Sequence, residues 1–329
     1  MINKPLVSVV IPMYNQREGF LRECIESAIA QTYDYIEIVI SNNHSTNNAP
    51  EVINEYASKD KRIRIVKPSE FLNISESFLY VFTQTIGEYI CYVSSDDILM
   101  PTCVEVLVEK MEKNKNIVFS HGKAIYFTKD DSSSVNWKYF NEISGIYDLN
   151  REVAERLLSF SYICFGGLVV RNSVWIEMVS YLDGKNLKVD DFTDILMVTM
   201  LFRQGNVYFH NEVLAKVRME NDMRNQAYSR VIKDVASIWY LIENDEILAE
   251  KIKSTAINIR NYKETQFVAL NRSVINEYFN GLIEFDTFKT AVKNLKLFNL
   301  KAPLSFSVFI KAILSFPKLS AKLYKAIKK

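Results

Sequence analysis

Tyr89-Ile90-Cys91-Tyr92-Val93-Ser94-Ser95-Asp96-Asp97-Ile98-Leu99-Met100-Pro101 is an apolar run that ends in two adjacent carboxylates. Residues 89–93 are too few for a helix and rich in Tyr, Ile and Val, which predicts a buried strand. Pro101, followed by Val104, Leu107, Val108 and Met111 at helical spacing, predicts a helix start. Asp96 and Asp97 therefore fall on a strand-to-helix turn. Ligands bind at that edge of an open α/β sheet, and a carboxylate pair there suits a divalent cation with oxygen ligands that also touches substrate phosphates. The same residues read equally well as a helix cap at Asp97 beside a solvated Asp96.

Upstream, Leu6 to Ile11 is a continuous apolar run closed by Pro12, the pattern of a strand buried on both faces. Phe20, Leu21, Cys24, Ile25, Ala28 and Ile29 then recur at helical spacing. A second buried strand, Ile36 to Ile40, ends in the polar run 41–46. Val52, Ile53 and Tyr56 mark a helix, Ile63 to Val66 a third strand, and Ile74, Phe78, Leu79 and Phe82 another helix. Alternation of this kind predicts a parallel sheet with right-handed crossovers. Beyond Met111 the pattern changes, and sheet continuity is expected to end. Ile117 to Phe127 reads as a strand, 129–144 as a polar loop, 150–160 as a helix, and Tyr162 to Arg171 as a strand holding Gly166-Gly167. Asn172 to Leu182 and Ile195 to Phe202 read as helices, Val207 to Phe209 and Val213 to Val217 as two short strands, and the chain from about Asn225 as helical.

The 329 residues are 48% hydrophobic and 24% charged, ordinary for a folded soluble chain. Cys24, Cys91, Cys103 and Cys164 lack metal-ligand spacing and read as reduced core residues of a cytosolic protein. His44, His121 and His210 share no ligand spacing either. A strand is reached by Leu6 without a basic-then-apolar leader, and no run of 18 apolar residues occurs, so neither a signal peptide nor a spanning helix is expected. The net charge of +1 is unevenly placed. Residues 301–329 hold seven Lys and no acid, which leaves 33 basic against 39 acidic residues, or −6, in the first 300.

Val7-Ser8-Val9-Val10-Ile11-Pro12-Met13-Tyr14-Asn15, Glu26-Ser27-Ala28-Ile29-Ala30-Gln31-Thr32-Tyr33, Gly87-Glu88-Tyr89-Ile90 and Ser95-Asp96-Asp97 with Pro101 together resemble glycosyltransferase family 2, of the GT-A fold, over roughly residues 5–220. The resemblance implies a nucleotide-sugar site in which Pro12, Tyr14 and Asn15 line base and ribose, the second strand's end holds the base, and Asp96 binds the metal, Mn²⁺ or Mg²⁺, on the diphosphate. Ser94 and Ser95 belong to the same cofactor-binding turn. Asn42 stands where the family usually has an Asp for the nucleobase, and an amide can still pair with a pyrimidine edge. Ser94 replaces the first acid of the triplet, and a hydroxyl brings no charge. Glu220, in Arg218-Met219-Glu220, stands where the family often has His. The family's catalytic base sits at a helix start with a Gly eleven residues on, which Asp194 and Gly205 match. Thr193 replaces the Glu before it, and Asp191 is the competing base. Gly166-Gly167 reads either as close approach to an acceptor sugar or as a bulge or tight strand crossing.

The implied activity is an inverting, UDP-sugar-dependent transfer to a hydroxyl of a glycan or lipid-linked glycan in bacterial-type surface polysaccharide synthesis. A catalytically weak or inactive binding subunit of an assembly complex is the alternative, motivated by Ser94, Asn42 and Glu220. The expected organisation is a GT-A domain over 1–222 (1–100 for the nucleotide sugar, 101–222 for the acceptor), a helical extension over 223–300 and a basic amphipathic tail over 301–329. In that tail Leu319, Leu323 and Ile327 recur beside a stripe of Lys318, Lys322, Lys325 and Lys329. This predicts either a reversible hold on an anionic membrane, on the inner face of the plasma membrane, or packing on the helical extension or a dimer contact with the Lys residues solvated. No nucleic-acid partner is expected.

Overall fold

The first strand, β1 (Val7–Met13), is buried at every residue but Pro12, and β2 (Ile36–Asn42) at every residue. Strands this apolar need cover on both faces, and helices between them supply it. The intervening α1 (Glu18–Ile29) buries Leu21, Cys24, Ile25 and Ala28, one stripe at i, i+3, i+4 and i+7. The unit repeats through α2 (Ala49–Lys59), β3 (Ile63–Val66), α3 (Ile74–Thr83) and β4 (Tyr89–Tyr92). A reciprocal cap starts α3: Asn73 Oδ1 accepts the Glu76 N–H, and the Glu76 carboxylate accepts the Asn73 N–H. There follow β5 (Ile98–Leu99), α4 (Cys103–Lys113), β6 (Ile117–Phe127), β7 (Val135–Asn136), β8 (Gly145–Tyr147), α5 (Arg151–Leu158), β9 (Val169–Arg171), α6 (Asn172–Gly184), α7 (Thr193–Gln204) and β10 (Asn206–Arg218). The structure is a computed structural model and describes residues 4–127, 135–136, 144–158, 166–185, 193–218, 232–280, 282–300, 304–315 and 317.

One mixed sheet runs in the order β3-β2-β1-β4-β9-β6-β10-β5, with β7 on β6 and β8 on β10. The first four strands are parallel, as their alternation with helices predicts. The expected loss of sheet continuity past Met111 does not occur. Short β9 inserts antiparallel between β4 and β6, and β6 pairs parallel with β10, so the second half extends the first. The two short strands read at 207–217 are one strand, because register shifts at His210/Val213 and Val213/Ala215 absorb extra residues as bulges without ending the pairing. Between the Asp96-Asp97 turn and α4 lies β5, which pairs antiparallel with Ala215 and Lys216, so the turn leads into an edge strand before the helix. Gly166 and Gly167 form a turn ahead of β9 instead of lying in a strand, and Gly167 has φ +76.

The split that makes a crevice is visible in the register. The pairing of β1 with β4 stops at Val10–Tyr92, while its pairing with β2 continues to Met13–Asn42. One further bond, from the Val93 N–H to the Val10 carbonyl at 3.1 Å, ends the contact on the β4 side. Pro12 has no N–H to extend the ladder. From β1 the chain runs to β2 on one side and later returns to β4 on the other, which makes their carboxyl ends the switch point of the sheet.

The chain divides into two units, residues 1–153, 162–188 and 197–220 in the first and 154–161, 189–196 and 221–329 in the second. The sheet belongs to the first. The second contains α8 (Ile232–Asn244), α9 (Glu246–Ser254), α10 (Ile259–Phe279), α11 (Phe285–Leu295) and α12 (Leu304–Ser315). In it Lys263, buried, forms an ion pair with Glu243 at 2.7 Å, and Trp239 Nε1 donates to Gln266 Oε1 at 2.6 Å. The tail's first half packs through α12 on α10 with Ile313 buried, while Lys311 and Leu314 are exposed. Its Lys stripe at 318–329 lies outside the described residues. Among the described residues no helix is long and apolar enough to cross a membrane.

Candidate functional site

Residues 94–97 leave β4 at the switch point. The Asp97 N–H donates to the Ser94 carbonyl at 3.0 Å, which closes a turn with Ser95 and Asp96 at its tip. Ser95 Oγ accepts from Gln16 Nε2 at 3.1 Å, and Ser94 Oγ is 3.0 Å from the Tyr92 hydroxyl. The Cys24 thiol donates to the Ser94 carbonyl at 3.2 Å; burial, then the neighbouring Asp97 and Asp96, keep it protonated.

The two carboxylates have different surroundings. Asp96 is half-buried at the tip, whereas Asp97 is buried and accepts the Arg218 N–H on Oδ1 at 2.9 Å. Burial first, and then the charge of Asp96, push the Asp97 carboxyl up to about 8. Desolvation disfavours the charged form, so the inner acid holds its proton well above the ordinary carboxylate range. Asp97 thus serves as a tie to β10, not a cap of α4, and Asp96 is the more accessible acid of the two. The glycine pair is neither a strand bulge nor a strand crossing but a tight turn: the positive φ of Gly167 favours Gly, and a Cβ there would stand 3.3 Å from both Ala215 Cβ and Cys103 Sγ.

Across the switch point the ends of β1 and β2 are laced together. Asn15, with φ 48, receives the Thr46 N–H on Oδ1 at 2.7 Å and donates its own N–H to Ser45 Oγ at 2.9 Å. Asn42 is buried and its Oδ1 accepts the Ser45 N–H at 2.9 Å. The Asn43 side-chain amide brackets the Leu72 backbone, Nδ2 donating to its carbonyl at 2.8 Å and Oδ1 accepting its N–H at 2.9 Å. His44, with φ 60, lies 3.1 Å by Nε2 from the Pro68 carbonyl. Two non-glycine residues in the left-handed region mark a strained segment that its hydrogen bonds over-determine. These bonds bring Phe71 to Tyr14: both rings are more than half or about half exposed, at 58% and 50%, and meet edge-on with centroids 5.0 Å apart. Two adjacent exposed aromatic rings at the edge of a crevice are a surface on which a planar base can stack.

The sequence-predicted residues Pro12, Tyr14, Asn15, Asn42, Ser94, Ser95 and Asp96 therefore do converge on one sheet edge. Phe71 and Arg218 were missed as site residues. Phe71 sits in an aperiodic stretch with no motif, and Arg218 is joined to Asp97 across more than a hundred residues. Of Asp194 the structure describes the backbone, the second residue of α7. Asp191 and Glu220 lie outside the described residues.

A family model described as Glycosyl transferase family 2 matches residues 8–174, just over half of the chain. The chain belongs to glycosyl transferase family 2. This glycosyltransferase is similar to the glycosyltransferase GlyG of Streptococcus pneumoniae serotype 4, 32% identical over 89% of this chain and 96% of that one. It is 26% identical over 93% of its length to a hyaluronan synthase of Pasteurella multocida, of which it spans 29%. Among solved structures, S. aureus TarS 1-349 in complex with UDP-GlcNAc matches with a TM-score of 0.65 and 14% identity, covering 96% of this chain and 88% of that one. At that identity the match shows the fold, and the GT-A expectation is borne out. The glycosyltransferase thus has polysaccharide synthases among its relatives.

The donor set fits a shared cation, not a caged one. Among the described residues no three His, Cys, Asp or Glu side chains converge to hold a metal. A half-buried Asp96 suits Mn²⁺ or Mg²⁺, because such ions are commonly bound by one or two carboxylates with phosphate oxygens and water completing the shell.

Proposed function

We propose that this glycosyltransferase moves one sugar from a nucleoside-diphosphate donor, UDP-linked, to a hydroxyl of a glycan or lipid-linked glycan, with inversion at the anomeric carbon. The observation that carries the reading is the convergence, at the switch point between β1 and β4, of the exposed Tyr14–Phe71 pair with the half-buried carboxylate of Asp96. Two exposed rings meeting edge-on suit a base, and an acid on the other side of the same switch point suits the cation of its diphosphate. Mn²⁺ or Mg²⁺, when bound, neutralises charge growing on the departing diphosphate. Asp96 would hold it. Ser95, tied to Gln16, and Asn15, tied to residues 45 and 46, keep the two walls in place.

Asp194, with Asp191 as the competing residue, is the proposed base that takes the acceptor's proton; general-base help is typically worth ~10² to 10⁴ in rate. Support comes from the helix start at Thr193 with a Gly after its end. The acceptor in surface polysaccharide synthesis, and the hold of residues 301–329 on an anionic membrane, are proposed from the relatives' names and from the basic tail. A donor-binding subunit without transfer activity is the second reading. It is favoured by Asn42 and Ser94, which both engage in internal hydrogen bonds.

Calorimetric titration with UDP and Mn²⁺, followed by hydrolysis of a panel of nucleotide sugars, tests both. Wild type binds UDP in the presence of Mn²⁺, and Asp96→Ala loses that binding without loss of fold; unchanged affinity in the variant rejects the assignment. Asp194→Asn keeps UDP affinity and lowers turnover by about a hundredfold or more. Binding without turnover of any donor selects the second reading.

A further inference from the structure

Arg218, the last residue of β10, has a side chain only 5% exposed. A buried guanidinium needs partners on every side, and among the described residues four surround this one. Nη2 pairs with Glu23 of α1, and Nε donates to the Asp96 carbonyl at 3.1 Å. The rings of Phe20 and Phe127 lie 3.9 and 4.4 Å from Cζ. Its backbone N–H meanwhile serves Asp97 Oδ1.

The consequence concerns one peptide plane. The carbonyl of Asp96 and the N–H of Asp97 belong to the same rigid unit. Arg218 Nε holds the carbonyl end, and the Ser94 carbonyl holds the N–H end at 3.0 Å. With both ends held, ψ of Asp96 is set, and with it the direction in which the Asp96 Cβ leaves the turn. The guanidinium is enclosed by Phe20, Phe127 and Glu23, so it acts through this peptide and not by touching a ligand.

We propose that Arg218 is the positioning residue of the donor site: it fixes the Asp96–Asp97 peptide, and so the carboxylate of Asp96, from the far end of the sheet's last long strand. This rests on the reading of Asp96 as the ligand of the donor's cation. The role requires Arg. A Lys ammonium is a point charge that keeps the pair with Glu23 or a bond to the carbonyl but lacks the planar fork that serves both at once.

The test compares wild type, Arg218→Lys and Arg218→Gln by two measurements: calorimetric titration of UDP with Mn²⁺, and backbone amide hydrogen exchange with a thermal unfolding scan. Arg218→Lys is expected to weaken Mn²⁺-dependent UDP binding roughly tenfold or more, the scale of a lost charge-assisted hydrogen bond. Exchange is expected to rise at residues 95–97 while β6 and the rest of β10 stay protected. Arg218→Gln, which removes the charge as well as the fork, is expected to weaken binding and raise exchange at 95–97 at least as much as Lys does. Wild-type affinity together with wild-type exchange at 95–97 overturns the proposal, as does loss of protection spread along β6 and β10, which is the mark of a purely structural residue. If wild type itself shows no Mn²⁺-dependent UDP binding, the donor reading fails, and exchange at 95–97 alone decides whether Arg218 holds the turn.

Discussion

His121 and Asp97 are two buried titratable side chains moved in opposite directions by the same cause. Burial pushes the His121 ring from its ordinary 6.5 down to about 4, and Asp97 up to about 8. His121 lies on β6 with ring centroids 6.3 Å from Phe119 and 5.2 Å from Phe209. Below pH 6.5 an unfolded chain protonates this His while the folded one does not, until about pH 4. Its contribution to stability is therefore fully present above 6.5 and is lost as pH falls toward 4, by roughly 3 kcal/mol over the window. His121→Phe, which keeps an aromatic ring, should lose less stability between pH 7 and 4.5 than wild type does in urea unfolding. Parallel curves would show that the ring titrates alike in the folded and unfolded chain, and would overturn this reading. For Asp97 the sign reverses: its protonated form is favoured on folding, so its contribution falls as pH rises from about 4 toward 8.

At the scale of elements, β10 does most of the joining. It pairs with β6 over nearly its whole length, accepts β8 and β5 on its other edge, and ends at Arg218 beside the Asp96 turn. Its start is crowded. The Asn206 N–H reaches the Asn116 carbonyl at 3.1 Å, and a Cβ on Gly205 would stand 2.9 Å from that same oxygen and closer still to Val118 Cγ1. Gly205, which in the sequence is one end of a spacing to Asp194, is in the fold the residue that lets α7 turn flush onto β6. Gly205→Ala should destabilise by about 1 to 3 kcal/mol, the scale of overpacking in a close-packed interior. A thermal midpoint lowered by several degrees checks this; an unchanged midpoint would mean that the Asn116 carbonyl moves aside freely.

For the whole molecule, the open question is what the basic tail does. The tail's α12 packs on α10 and buries Ile313, so deletion after Leu300 would uncover core as well as remove charge. The discriminating variant keeps α12 and replaces Lys318, Lys322, Lys325 and Lys329 with Gln. Each Lys near anionic lipid is worth on the order of 1 kcal/mol, so wild type should float with anionic vesicles at low salt and the fourfold variant should not. Equal flotation, or none of either, would leave the tail as a packing element.

The parallel half of the sheet was legible because strands buried on both faces read as unbroken apolar runs, and helices as stripes at a period near 3.6; both are local patterns. The polar strand ends at 41–46 and at Asp96 were legible for the same reason, since a parallel strand delivers its next residues to the carboxyl edge; Tyr14, Asn15 and the role of Asn42 were singled out only by the family resemblance. What the tertiary structure alone decided depends on partners far apart in sequence. The insertion of β9 between β4 and β6, the bulges that make β10 one strand, and the meeting of Phe71 with Tyr14 leave no periodic trace in the chain. The division of labour between Asp96 and Asp97 is of this kind too. Adjacent and chemically identical, they are told apart only by burial and by Arg218, which arrives from the end of another strand.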